Sequence, residues 1–282
     1  DDLGNGHAYE WVGWSTINAV VTIDLGQTSP VDLVTLHTNN WSDVGIFGSV
    51  LVAETKGDGT PVTIADRAAE RLLRERILAR FPHHGILGEE FGEENPGAAI
   101  RWILDPIDGT RSFIRGVPLF GVLVGIEVEG EPTIGVAHFP ALGETVAAAL
   151  GEGCFWNGRG SRVSAVSQLS EAAALTTDPA ELLEGPMAKG WRRLVRSVSL
   201  ARSWGDCYGH ILVATGRAEI MVDPILSPWD AAPFVPILGA AGGAFTDTEG
   251  VARTDGGSGL STNGILHHQV LSLLRGEGAS VP

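Results

Sequence analysis

The chain predicts a layered α/β domain, with strands and helices in mixed order rather than in separate blocks. Three observations point there. Residues Ala65, Ala69, Leu72, Leu73, Ile77 and Phe81 recur at helical spacing. Apolar runs at 102–104, 120–127 and 133–139 have strand length and turn residues between them. An Ala-rich apolar stretch follows Ser227-Pro228 and runs to Gly242-Gly243. At 282 residues there is enough chain for one large or two modest domains with a sizeable core.

The chain opens with an anomaly. No Lys or Arg occurs among residues 1 to 55, and all 19 lie from Lys56 onward. The same stretch holds Trp11, Trp14 and Trp41, three of the eight tryptophans. Val21-Thr22-Ile23-Asp24-Leu25 and Val34-Thr35-Leu36 alternate like strands. We therefore expect residues 1–48 to be an atypical β-rich segment and residues 49–282 to form the main domain. The sequence starts without Met or a signal peptide, as a fusion, a truncated parent or a misread gene start would.

From there the elements follow in order. Thr63 with Asp66 forms a capping box, and the helix it opens ends at Pro82. Ile86-Leu87 leads into Gly88-Glu89-Glu90. Trp102-Ile103-Leu104 is a strand that delivers Asp105 and Asp108 to its end, where Gly109 and Thr110 turn the backbone. Phe120 to Glu127 and Thr133 to Phe139 pair through Glu129-Gly130-Glu131. Glu144 to Leu150 and Gly153 to Trp156 make another hairpin, with Asn157-Gly158 as a turn. Cys207 to Thr215 is a helix closed by Gly216, and Glu219 to Val222 a buried strand. Ser227 suits an N-cap and Pro228 the first helical position, which puts Asp230 in a first turn.

The segment Asp105-Pro106-Ile107-Asp108-Gly109-Thr110 carries the chemistry. Two carboxylates stand beside a turn whose N–H groups face an anion, an arrangement that makes sense with cations between them. Alone it is equally consistent with an ordinary acidic turn. Glu89 alone fits a solvated charge in the acidic run 89–94, and Asp230 a helix-dipole partner. Their order along one chain tips the balance toward metal-assisted phosphate chemistry. There is no G-x-S-x-G and no Walker P-loop, so no protein nucleophile is evident.

The order GEE, DPIDGT, WDAAP, preceded by Glu54-Thr55-Lys56 and Asp58 to Asp66, resembles the inositol monophosphatase family over residues 51 to about 270. The resemblance implies a Mg²⁺-dependent phosphomonoesterase built as a five-layer αβαβα sandwich and forming a homodimer. It implies that Glu89, Asp105, Asp108 and Asp230 bind metal, with the Ile107 carbonyl as a further ligand, for two or three Mg²⁺ ions per site. Asp105 is the best candidate to bridge two ions. Gly109 and Thr110 would contact phosphate. Thr110 and Glu89 would orient the attacking water, with Asp66 behind Thr110. A hard cation with octahedral preference suits such an all-oxygen set. The ions would acidify a water and neutralise charge on the phosphoryl group and leaving oxygen.

Within that family, Arg202-Ser203-Trp204-Gly205-Asp206-Cys207-Tyr208-Gly209-His210 looks like the branch that hydrolyses histidinol phosphate. Members acting on inositol phosphates usually have small neutral residues where Asp206 and Cys207 stand. Histidinol carries an ammonium and an imidazole, so Asp206 and Asp223 are candidates for its cationic end. Asp206 serving only as an N-terminal helix acid is the competing reading. The family normally opens with an amphipathic helix where residues 1–48 stand. Val-Thr-Ile-Asp-Leu-Gly and Val-Asp-Leu-Val-Thr-Leu-His instead resemble a fragment of a discoidin-like carbohydrate-binding jelly roll.

Composition narrows the classes. A net charge of −15 argues against nucleic acid or an anionic membrane as partner; the family resemblance implies a small phosphomonoester substrate. No apolar run approaches the ~20 residues that span a bilayer. Cys154 and Cys207 make neither a disulfide framework nor a zinc pattern, so a cytoplasmic location is the default. The pairs His83-His84 and His267-His268 lack a metal-ligand spacing and read as solvated loop or helix-end residues. The alternatives are an inositol-phosphate phosphatase, a broad sugar-phosphate or nucleotide phosphatase and, from a different class, a non-catalytic carbohydrate-binding protein suggested by Trp11 to Trp41.

Overall fold

The computed structural model describes residues 51–57 and 59–276 and, before them, only the strands β1 (Ala8–Tyr9), β2 (Ala19–Asp24) and β3 (Leu33–Thr38). β2 and β3 pair antiparallel, at the two places where the sequence alternates. The three N-terminal tryptophans and Leu25 lie outside the described residues. β4 (Leu51–Thr55) pairs with β1 and with β5 (Pro61–Thr63). Helix α1 (Ile64–Arg80) starts on the expected capping box, in which Thr63 N–H donates to Asp66 at 2.8 Å. Phe81 caps it ahead of Pro82.

The larger sheet has eight strands. It contains β6 (Gly85–Gly88), β7 (Gly92–Glu94), β8 (Ile100–Asp108), β9 (Gly121–Val128), β10 (Glu131–Phe139), β11 (Glu144–Ala149), β12 (Gly153–Trp156) and β13 (Arg159–Gly160). The short helix α2 (Thr110–Phe113) follows β8. The turns at Glu129-Gly130 and Asn157-Gly158 take positive φ at both residues, as two-residue hairpins require. The expected strands are therefore present; β8 extends the 102–104 run to Ile100 and Asp108, β10 starts at Glu131 inside the expected connector, and β11 stops at Ala149 and leaves Leu150 exposed.

A second sheet has five strands: β14 (Ala173–Thr176), β15 (Leu200–Arg202), β16 (Ile220–Asp223), β17 (Ala244–Thr246) and β18 (Gly259–Thr262). Its helices are α3 (Pro179–Glu184), α4 (Ala188–Ser197), α5 (Asp206–Ala214), α6 (Pro228–Ala231), α7 (Phe234–Ala240) and α8 (His267–Arg275). The Ala-rich stretch is two helices rather than one, divided at Ala232-Pro233.

Three cores separate the layers. Ile77 of α1 packs with Trp102, Leu104, Ile126 and Val136 on the outer face of the larger sheet. Ile211 of α5 and Phe234 and Ile237 of α7 sit between the sheets, against Leu123, Phe139, Met221 and Phe245. Trp191 and Leu194 of α4 and Val270 and Leu274 of α8 cover Ile220, Val222 and Leu260 on the far side. The result is the αβαβα sandwich. Both sheets are covered on two faces, which is why their strands read as continuous apolar runs.

One contact sets the position of α6. Gly125 and Gly135 are cross-strand partners on β9 and β10, and together they leave a trough in the sheet. A Cβ at Gly135 would lie 2.0 Å from the Pro233 carbonyl oxygen, and one at Gly125 2.6 Å from Ala232 Cβ. The α6–α7 junction drops into that trough, and Asp230 is carried down with it.

Candidate active site

The acids of β6, β8 and α6 meet at one end of the larger sheet. β6 and β8 are parallel, and the Glu89 N–H still donates to the Leu104 carbonyl just past the ladder. Glu89 and Asp105 therefore leave adjacent strands side by side, at the carboxyl ends where α/β sheets place ligands. Residues three apart on a regular strand point to opposite faces. Here the pairing of β8 with β9 is irregular between Asp105 and Asp108, where Pro106 has no N–H to give. That irregularity turns Asp108 back onto the side of Asp105.

Oxygens of Asp105, Asp108 and Asp230 lie within 4.8 Å of one another. Asp230 sits in the first turn of α6 and accepts the Ser227 N–H at 2.8 Å. The Asp105 side chain is 2% exposed. Burial first, then the charges of Glu89, Asp108 and Asp230, hold its carboxyl well above the usual range. Burial and Asp230 push Asp108 up to about 7. Burial raises Asp230 to about 6, against its hydrogen bonds to Asp105 and Ser227.

Glu89 faces Asp105 on one side and Lys56 on the other, at 2.7 Å; Lys56 also meets Glu90 at 2.5 Å. Burial works against the Lys56 charge, but its bonds to Glu89 and Glu90 outweigh it and hold the ammonium above the ordinary lysine range. Lys56 belongs to the Glu54-Thr55-Lys56 motif, to which the sequence reading gave no role at the site. Its signal is positional, since it is the first cation of the chain.

Gly109 takes φ 80° and caps α2, so the first N–H groups of that helix open beside the acids. Thr110 Oγ1 lies 3.0 Å from the Ile107 carbonyl and 3.3 Å from Asp66 Oδ1. Asp66 thus stands behind Thr110, as the sequence led us to expect. Cys207 donates its N–H to Asp108 at 2.6 Å. Burial and Asp108 push its thiol well up, so it stays protonated and unsuited to nucleophilic attack.

Asp206 has φ 49°, uncommon for a residue other than glycine. Asp206 is the acid of the first turn of α5, behind Gly205, a cap residue with no side chain to make a cap bond. Its Oδ2 accepts from Ser112 Oγ at 3.3 Å, while its own N–H donates to Thr177 Oγ1. Asp206 thus holds the helix-end position of the competing reading and makes a side-chain contact outside its own helix as well. Burial, then Asp108 and Asp223, push its carboxyl up to about 8. Asp223 is more fully engaged: Oδ1 accepts the Thr177 N–H at 3.2 Å and Oδ2 lies 3.1 Å from His210 Nε2. His210 in turn meets Ser261 Oγ at 2.7 Å. Asp108, Asp206, Asp223, His210 and Glu181 line one cavity of about 110 Å³.

Two of the histidines set aside are half-buried and hydrogen-bonded, His267 at the start of α8. His84 Nδ1 accepts the Trp102 indole N–H at 3.0 Å, and His267 lies between Thr246 and Thr262. Both serve packing, away from the acids.

The model of the inositol monophosphatase family matches residues 44–277. A histidinol-phosphatase of Chlorobaculum parvum is 48% identical over 221 residues, 78% of this chain and 85% of that protein. A histidinol-phosphatase of Mycobacterium tuberculosis is 38% identical over 234 residues, 81% of this chain and 90% of that protein. The extragenic suppressor protein suhB of Bartonella henselae superposes with a TM-score of 0.76 at 30% identity, covering 83% of this chain and 92% of that one. The chain belongs to the inositol monophosphatase family.

As a member of that family it is a phosphoric monoester hydrolase. The family is metal-dependent, and the donor set fits a hard cation, because every convergent ligand is oxygen and the acids repel one another without a positive partner. This has a measurable consequence. In the metal-free fold Asp108, Asp206 and Asp230 keep protons that the unfolded chain has already lost, between about pH 4 and their raised values. Their contribution to stability is fully present below about pH 4 and is lost as pH rises from there to the raised values of about 6 to 8. Metal binds the deprotonated acids. The rise in Tm on adding Mg²⁺ is therefore expected to grow from about pH 5 to about pH 8. Thermal melts with Mg²⁺ and with chelator measure it; a Mg²⁺ effect that does not change with pH would contradict this assignment of the acids.

Proposed function

We propose that this phosphatase is a Mg²⁺-dependent histidinol-phosphate phosphatase. The observation that carries the reading is the cavity lined by Asp108, Asp206 and Asp223, which supports an acidic substrate pocket next to the proposed metal ligands. Carboxylates can accept from the hydroxyls of a polyol, but an ammonium and an imidazolium gain a charge-assisted bond there as well, so the acidic wall favours that leaving group. The relatives named histidinol-phosphatase support the same reading.

In this account Glu89, Asp105, Asp108, Asp230 and the Ile107 carbonyl hold two or three Mg²⁺ ions. When bound, Mg²⁺ would acidify the attacking water and offset charge on the phosphoryl and leaving oxygens. Thr110 Oγ donates toward Asp66, which leaves its lone pairs free to accept from water. Burial raises the Glu89 carboxyl and Lys56 works against that rise; in this account Glu89 accepts a hydrogen bond from the same water and fixes its direction. The N–H groups of Gly109 and Thr110 take phosphate oxygens at the start of α2. Asp206 and Asp223 meet the cationic end of the substrate, with His210 and Thr177 keeping Asp223 in place.

Support for the partners is coarser. The net charge disfavours nucleic acid, and among the described residues no helix is long and apolar enough to cross a membrane. Two free, buried cysteines fit a reducing cytoplasm. A homodimer is part of this reading, and sedimentation of the full chain tests it. The substrate itself is tested by steady-state hydrolysis of histidinol phosphate and inositol 1-phosphate side by side. The expected preference is about tenfold or more in kcat/KM for histidinol phosphate, the effect of at least one charge-assisted contact. Equal rates, or a preference for inositol 1-phosphate, would replace this reading with the broader phosphatase alternatives.

A further inference from the structure

Helix α1 buries two acids one turn apart, Asp66 at 1% and Glu70 at 0% exposure. Residues four apart share a helix face. Asp66 reaches Thr110, as described above. Glu70 reaches the loop that carries Glu89: its Oε2 accepts the Glu90 N–H at 2.7 Å, and Oε1 accepts the Phe91 N–H at 3.2 Å. Arg74, the next turn of α1, donates Nε to Glu70 Oε1 at 2.8 Å and Nη2 to the Gly92 carbonyl. The carboxylate fits only because residue 88 is glycine, since a Cβ there would lie 2.0 Å from Glu70 Oε1.

Glu89 is therefore held from both directions. Its own N–H is tied to β8 through the Leu104 carbonyl, and the next two N–H groups are tied to α1 through Glu70. We propose that Glu70 is a positioning residue that sets the metal-binding Glu89, and that α1 aligns both water-orienting groups through one buried acidic face. The inference rests on the reading of Glu89 as a metal ligand. Glu70 touches neither water nor substrate. It acts by fixing where the Glu89 backbone starts.

The test is calorimetric titration of Mg²⁺ into the substrate-free protein, beside steady-state kinetics, for wild type, Glu70→Gln, Glu89→Gln and the double variant. The amide of Glu70→Gln keeps the size of the carboxylate but puts a donor against an N–H. Mg²⁺ binding is expected to weaken by about 10- to 100-fold, the range for groups that orient metal ligands. The KM for the phosphomonoester at saturating Mg²⁺ stays within about twofold, because substrate contacts are untouched. The double variant binds Mg²⁺ about as weakly as Glu89→Gln alone, as expected when one residue acts through another. A folded Glu70→Gln protein that binds Mg²⁺ like wild type, while Glu89→Gln does not, overturns the positioning role alone. If Glu89→Gln also binds like wild type, the metal-ligand reading fails and this inference with it. Should Glu70→Gln not fold, Arg74→Met loosens the same carboxylate. A weakening of Mg²⁺ binding by about threefold or more then supports the role, and unchanged binding overturns it.

Discussion

Asp105→Asn is expected to give a folded protein with almost no turnover. The side chain lies at the centre of the acidic group, almost fully buried, within reach of Glu89, Asp108 and Asp230. An amide keeps the size but removes the negative charge that a bridging position between cations needs. Each factor of ten in rate corresponds to ~1.4 kcal/mol, so losing the stabilisation from one cation should cost several decades in kcat. The same change is expected to leave the metal-free protein as stable as wild type or more so, because it relieves repulsion among buried acids. Stability and activity then move in opposite directions, as at other sites built against the fold's own preference. Melting curves without metal and kcat at saturating Mg²⁺ give both numbers. Activity near wild type would sink the assignment of Asp105.

Asp206→Asn is expected to change which substrate is preferred more than it changes the overall rate. If the carboxylate meets the ammonium or imidazolium of histidinol, the charge-assisted bond is worth roughly 1.5–3 kcal/mol, or about one to two decades in kcat/KM. Hydrolysis of a neutral sugar phosphate should fall far less. The φ of 49° and the contact with Ser112 make a purely local role harder to sustain, since the side chain faces α2 rather than its own helix. The ratio of the two kcat/KM values, at fixed pH and Mg²⁺, is the measurement. An unchanged ratio would remove Asp206 from the substrate contacts.

Much of this site was legible because its pieces are local. Asp105 to Thr110, Glu89 and Ser227 to Asp230 each lie at an element boundary with its own turn or cap chemistry, so the type and place of each could be read from a few residues. The capping box at Thr63 and the hairpin turns at Glu129-Gly130 and Asn157-Gly158 were legible for the same reason. What was not legible depends on distance along the chain. Lys56 meets Glu89 across 33 residues and Glu70 grips Glu90 across 20. Lys56 lies in the Glu54-Thr55-Lys56 motif and Glu70 in none, but in neither case does the local pattern name the distant partner. Gly125 and Gly135 read as weak points in strands, until Ala232 and Pro233 are seen resting on them. The division of the Ala-rich stretch at that contact was hidden in the same way. Asp223 read from the sequence as an acid for the substrate's cationic end; its bonds to His210 and Thr177, one to each oxygen, were hidden because only the packing of α5 on β16 creates them.

The central claim is that the convergent acids are a metal centre for phosphomonoester hydrolysis. Phosphate release from histidinol phosphate by the purified chain, after chelation and again after Mg²⁺ is restored, tests it most directly. The account predicts no measurable release in chelator, full recovery on adding Mg²⁺, and no recovery in Asp105→Asn. Phosphate release that persists undiminished in chelator, or a chain that releases none from any phosphomonoester with Mg²⁺ present, would contradict it.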